Sequence, residues 1–115
     1  MPLLKLETTV ALSEDQQQRL LGSLSRIVAH AIGKPEQYVM VTIGRAAILM
    51  SGKPNDAAFV DIRSIGGLNA DVNRQLSQKV CALLDQELHI PANRIYLNFS
   101  EIDAGNWGWN GSTFE

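Results

Sequence analysis

The chemistry available to this chain starts at its second residue. Once Met1 is removed, Pro2 presents a secondary amine, a group that no other residue can offer. A terminal amine titrates about one unit above neutrality when unperturbed, so modest desolvation or a nearby cation leaves it neutral and basic at physiological pH. A proline that merely opens a strand, where no ladder donor is needed, accounts for Pro2 equally well. Tyr96 and Asn98 stand two apart and so point to one face of a strand, where a phenol and an amide make either an orienting polar wall or an interface edge. Lys34 lies just past a helix end, a favourable place for a cation with or without a further role. Trp107 and Trp109, at i and i+2 of an extended tail, either line an apolar pocket or dock the tail, and Asn110-Gly111 suits a tight turn. Gly66-Gly67 ahead of a helix makes an anion-binding nest or a plain strand-to-helix turn.

Other chemistries lack residues. His30 and His89 have no ligand-spaced partner, and there is no Cys/His cluster, phosphate loop or nucleophile elbow, so neither a metal nor a cofactor is expected. A net charge of -2, a pI near 5.6 and no run of Lys or Arg argue against nucleic acid and anionic lipid as partners. No leader-like segment and no bilayer-length apolar stretch is visible, which predicts a cytoplasmic protein with no membrane partner. The single cysteine, Cys81, sits in an apolar run and reads as a small core residue.

With 115 residues of which 45% are hydrophobic, the chain suits one domain spanning 1–115. Ser13, with Gln16 three residues on, caps a helix carrying Leu20, Leu24, Ile27 and Ala31 that stops at Gly33. Asn69 caps a second, carrying Val72, Leu76, Val80, Leu83 and Leu84 and ending near His89. Strands are predicted over Leu3 to Thr9, Tyr38 to Ile43, Phe59 to Ile65 and Arg94 to Ser100. Shifting the chain by 56 residues, the distance from Pro35 to Pro91, superposes helix caps, prolines and alternating strand positions. Residues 1–50 and 57–106 thus read as a duplicated β-α-β unit, an α/β (α+β) fold with a four-stranded mixed sheet and two helices on one face.

The other sheet face then has no helix to cover it. The nearly continuous apolar run Tyr38-Val39-Met40-Val41-Thr42-Ile43 suggests burial on both sides, so a homo-oligomer is expected, with further copies of the chain on that face. Short extra strands around Ala47 to Met50 and in the last ten residues are candidates for pairing with neighbouring subunits.

These pieces come together in a family resemblance. Met1-Pro2, Gly33-Lys34-Pro35 with Gln37-Tyr38, Ser64-Ile65-Gly66, Arg94-Ile95-Tyr96-Leu97-Asn98 and the ending Gly108-Trp109-Asn110-Gly111-Ser112-Thr113-Phe114 resemble the macrophage migration inhibitory factor family of the tautomerase superfamily over the full length. The resemblance implies a homotrimer of duplicated β-α-β units and a keto-enol tautomerase acting on phenylpyruvate- or dopachrome-type substrates, small 2-oxo acids and their enols. It makes Pro2 the general base, Lys34 the cation that binds the substrate's carboxylate or carbonyl oxygen, and Ile65 a backbone N–H donor to the same oxygen. Ser64 belongs to the matched motif. Tyr96 and Asn98 match residues supplied by the adjacent subunit, while Tyr38, Trp109 and Phe114 match aromatic positions near the pocket. Trp107 stands where familiar members have a smaller aliphatic residue, and its indole narrows the site. Ala57 and Val60 replace a Cys-x-x-Cys pair of the animal cytokine, so thiol-disulfide exchange is not expected. The alternative that the resemblance carries is a cytokine-like signalling ligand or host-factor mimic, released without a signal peptide, that binds a cell-surface receptor with little catalytic role.

Overall fold

Local capping chemistry delimits both helices. The computed structural model describes residues 1–115. The Ser13 hydroxyl accepts the Gln16 N–H and the Gln16 side chain accepts the Ser13 N–H, a closed capping box that starts α1 (Glu14–Ile32). Gly33 ends it in the left-handed region at φ 77°, where its N–H reaches the Ala29 carbonyl. The second helix, α2 (Ala70–Leu88), begins with the Asn69 side chain accepting the Val72 N–H. It ends at His89, a non-glycine residue at φ 57°.

Four strands form the sheet: β1 (Pro2–Thr8), β2 (Met40–Arg45), β3 (Ala58–Ser64) and β4 (Ile95–Glu101), in the order β2-β1-β3-β4. The pairs β1/β2 and β3/β4 are parallel, and the central pair β1/β3 is antiparallel. Element bounds of the first unit recur in the second after 56 residues: Pro2–Thr8 and Ala58–Ser64, then Glu14–Ile32 and Ala70–Leu88. Alternation in β1 and β3 sends Leu4, Leu6, Val60 and Ile62 to the helix side, where they meet Leu20, Leu24, Val28, Leu76, Val80 and Leu84 in one core. Each of these large side chains gains about 1.5–3 kcal/mol on burial, which is what holds the helices to the sheet. No helix is long and apolar enough to cross a membrane.

The opposite face, on which no helix packs, is mixed in character. It carries Lys5 and Glu7 at 3.9 Å, Asp61 and Arg63 at 3.0 Å, and exposed Asn98, beside half-buried Leu3 and Phe59 on the central strands and large exposed apolar groups on the edge strands: Met40 is 62% exposed and Tyr96 67%. The face thus mixes ion pairs with apolar side chains that a single chain leaves uncovered. Tyr38 is not in a strand. Pro35 turns the chain into a short 3-10 turn, Glu36–Tyr38, before β2 begins at Met40. Ala47 to Met50 forms no strand; a lone bridge joins Met50 to Lys53. That loop hangs instead on Arg94, whose guanidinium donates to the carbonyls of Met50 (2.7 Å), Lys53 (3.0 Å), Asn55 (2.7 Å) and Asp56 (3.2 Å). The tail makes its own hairpin, β5 (Gly108–Trp109) and β6 (Ser112–Thr113), around Asn110 and Gly111. Both turn residues have positive φ, 53° and 79°, as a two-residue hairpin requires.

Candidate active site

Pro2 opens β1 opposite Ser64, and the Pro2 side chain is fully buried on the helix side of the sheet. As the first strand residue it forfeits no ladder donor. Met1 precedes it at the mouth of an open cleft of about 720 Å³. The cleft is walled by Pro2 and Leu3 from β1, by Gln37, Tyr38, Val39 and Met40 from the turn into β2, and by Trp107, Trp109 and Phe114 from the tail. Trp109 and Phe114 stack at 5.8 Å with their planes 11° apart, and the Phe114 N–H binds the Trp107 carbonyl at 3.2 Å. This cross-hairpin stack fixes the aromatic wall. Eight of the eleven lining residues are hydrophobic, so the cleft suits a flat apolar group.

Polar chemistry is gathered at the Met1–Pro2 end. The Ile65 N–H donates to the Met1 carbonyl at 3.3 Å. Burial, and after it the Lys34 ammonium, hold the Met1 amine below its ordinary value. Lys34 follows the left-handed Gly33, and its own N–H binds the Ala29 carbonyl at 3.1 Å, so the helix end fixes where its side chain starts. A backbone donor therefore binds the first peptide unit of the chain, and the charge of Lys34 acts on the amine beside it, just where Pro2 would carry a free amine. Ser64 is wholly buried and donates its hydroxyl to the Gly66 carbonyl at 2.6 Å, so it shapes the turn and offers nothing to the cleft.

Of the ten residues singled out in the sequence, Pro2, Tyr38, Trp107, Trp109 and Phe114 share the cleft wall, and Lys34 and Ile65 meet Met1 at its end. Tyr96 and Asn98 stand apart. They lie on the uncovered face of β4, opposite Phe59 and Asp61, with Tyr96 near the other end of the sheet from Pro2 and Asn98 midway along the strand. The Gly66-Gly67 turn is no vacant anion nest, because the Glu101 carboxylate already accepts its Gly66 N–H and the Leu68 N–H, both at 3.0 Å. Sequence reasoning passed over Glu101, Leu3 and Met40; only Gln37 carried a signal, through its place beside Tyr38 in the Gly-Lys-Pro motif. No group of three His, Cys, Asp or Glu is arranged to hold a metal ion. Burial pushes the Cys81 thiol up, which keeps it protonated.

The sequence and the fold both match known proteins. The family model described as macrophage migration inhibitory factor matches residues 1–115. The chain belongs to the macrophage migration inhibitory factor family. Among curated relatives, the macrophage migration inhibitory factor of Xenopus laevis is 36% identical over 115 residues, 99% of either chain. Among solved structures, the homologue from Prochlorococcus marinus superposes with a TM-score of 0.92 at 38% identity, covering 98% of this chain and 99% of that one. The macrophage migration inhibitory factor-like protein of Entamoeba histolytica gives a TM-score of 0.93 at 32% identity, covering 97% of each chain. The family match therefore takes in every residue of the cleft as well as Tyr96 and Asn98, which lie apart from it.

Proposed function

We propose that this member of the family is a keto-enol tautomerase of phenylpyruvate- or dopachrome-type 2-oxo acids and enols, working as a homotrimer. Pro2, freed by loss of Met1, takes the proton from the carbon beside the substrate carbonyl to leave an enolate, which gains a proton on oxygen to give the enol; ketonisation runs the same steps in reverse, with Pro2 delivering the proton to carbon. Its secondary amine is basic enough for this when Lys34 and partial burial keep it unprotonated. The Lys34 ammonium and the Ile65 N–H hold the oxygen on which enolate charge develops. Tyr38, Trp107, Trp109 and Phe114 hold the aromatic ring. Tyr96 and Asn98 complete the pocket from a neighbouring subunit, an arrangement supported by their distance from Pro2 in one chain.

The observation that carries the reading is the contact of the Met1 carbonyl with the Ile65 N–H at 3.3 Å, beside Lys34 and at the end of an apolar cleft. While Met1 is attached, the Pro2 nitrogen is an amide and the donor is occupied, so an unprocessed chain should be inert. The test is ketonisation of enol phenylpyruvate by protein whose intact mass shows loss of Met1. Pro2→Gly should lower kcat/KM by about 10²–10⁴-fold, the usual contribution of a positioned base, while the oligomer survives. Full activity in that variant would remove Pro2 from the mechanism.

A further inference from the structure

The segment from Ile65 to Leu68 has an unusual shape held by one side chain. Gly66 and Gly67 both lie in the left-handed region, at φ 76° and 87°, so no intrinsic preference for helix or strand maintains the turn. Glu101 does: Oε2 accepts the Gly66 N–H and Oε1 the Leu68 N–H, each at 3.0 Å, from 35 and 33 residues away. The turn's other ties are the Ser64 hydroxyl to the Gly66 carbonyl at 2.6 Å and the Ile102 N–H to the Ser64 carbonyl at 2.9 Å. Two charge-assisted bonds to one carboxylate are the strongest of these. The turn in turn touches both polar groups of the site. Its first residue supplies the Ile65 N–H. Gly67 packs so closely on the end of α1 that a Cβ there would stand 2.6 Å from Ile32 Cγ2, 3.2 Å from the Ile32 carbonyl oxygen and 3.7 Å from Lys34 Cε.

We propose that Glu101 is a positioning residue for the tautomerase site, an inference that rests on the reading of function given above. Its carboxylate fixes the two-glycine turn, and through it both the direction of the Ile65 N–H and the bed on which the Lys34 stem lies. Glu101 itself does not line the cleft, so it acts on the oxygen-binding donors and leaves the aromatic wall alone. Glutamine cannot replace it, because an amide offers one acceptor oxygen and turns its NH₂ toward the second N–H.

The test uses full-length protein lacking Met1, as wild type, Glu101→Gln and Glu101→Ala. In both variants kcat for enol phenylpyruvate should fall at least about tenfold, the value of a charged hydrogen bond lost from the donor's support. KM should stay within about twofold, because the ring-binding wall is untouched. Amide exchange at Gly66 and Leu68 should accelerate while amides of β1 and α1 keep their protection. Unchanged kcat in both variants overturns the proposal, and so does a loss of kcat with exchange at Gly66 and Leu68 unaltered. Inert wild type overturns the tautomerase reading instead, and exchange at the two amides then still reports whether the carboxylate holds the turn.

Discussion

Mixing two disabled chains tests whether each site is shared between copies. One chain carries Pro2→Gly, the other Tyr96→Ala with Asn98→Ala. In a single chain these groups are far apart, since Pro2 is level with Ser64 and Glu101 across the sheet, whereas Tyr96 is level with Phe59 and Glu7. Tyr96 therefore lies five positions back along β4, from 101 to 96. At roughly 3.3 Å per residue this is about 16 Å along the strands, and two strand spacings add about 10 Å across. Pro2 also faces the helices, while Tyr96 and Asn98 face the other way. In trimers assembled at random from equal amounts, an intact site needs its amine from one kind of chain and its polar wall from the other. Two independent choices of one half leave about one quarter of sites intact. Co-refolding the two inactive chains should thus restore about one quarter of wild-type turnover of enol phenylpyruvate per subunit, a yield set by heterologous assembly. A mixture no more active than its parents would refute the shared site.

Three further outcomes are expected. Lys34→Ala should raise the titration point of the Met1 amine of unprocessed chain only part of the way back, because burial is the larger cause and remains; pH-dependent acylation of the terminus reads this. In the same unprocessed chain the native amine binds a proton less readily than the unfolded one, so stability should rise as pH climbs from the depressed value toward about 8 and be lower below that window, as chemical denaturation at several pH values would show. Ser13→Ala breaks the capping box of α1 and should cost about 1 kcal/mol, a fall of about 4 °C in the thermal midpoint, without altering turnover.

The legible parts of the fold were those written in nearby residues. Ser13 with Gln16, Asn69 and Gly33 act within one helical turn, and each delimits the helix that its residue type predicts. Alternation in β1 and β3 likewise marks which residues reach the core. Tyr38 was misplaced because an apolar run continues through it, while Pro35 imposes a turn that periodicity does not register. Ala47 to Met50 has strand-like residues, yet the Met50 carbonyl at its end is taken by Arg94, 44 residues on. The site divides in the same way. Pro2, Lys34, Tyr38 and the aromatic tail were visible as residue types, whereas Glu101 was hidden because its two bonds join segments more than thirty residues apart.

Arg94 carries a consequence for how the 46–57 loop can change. Its charge is balanced by four carbonyl dipoles and by no carboxylate, so added salt has no ion pair there to screen. Lysine would retain the charge but offer three donors at one point in place of a planar fork, and could not serve four carbonyls approaching from different directions. The bonds to Arg94 themselves place no demand on the loop's side chains, because main-chain oxygens are identical in every residue. Side chains at Met50, Lys53 and Asn55 can therefore vary in evolution or in design, whereas Gly52, at φ 70°, and Asp56, whose Oδ1 accepts the Thr9 hydroxyl at 3.0 Å, carry constraints of their own.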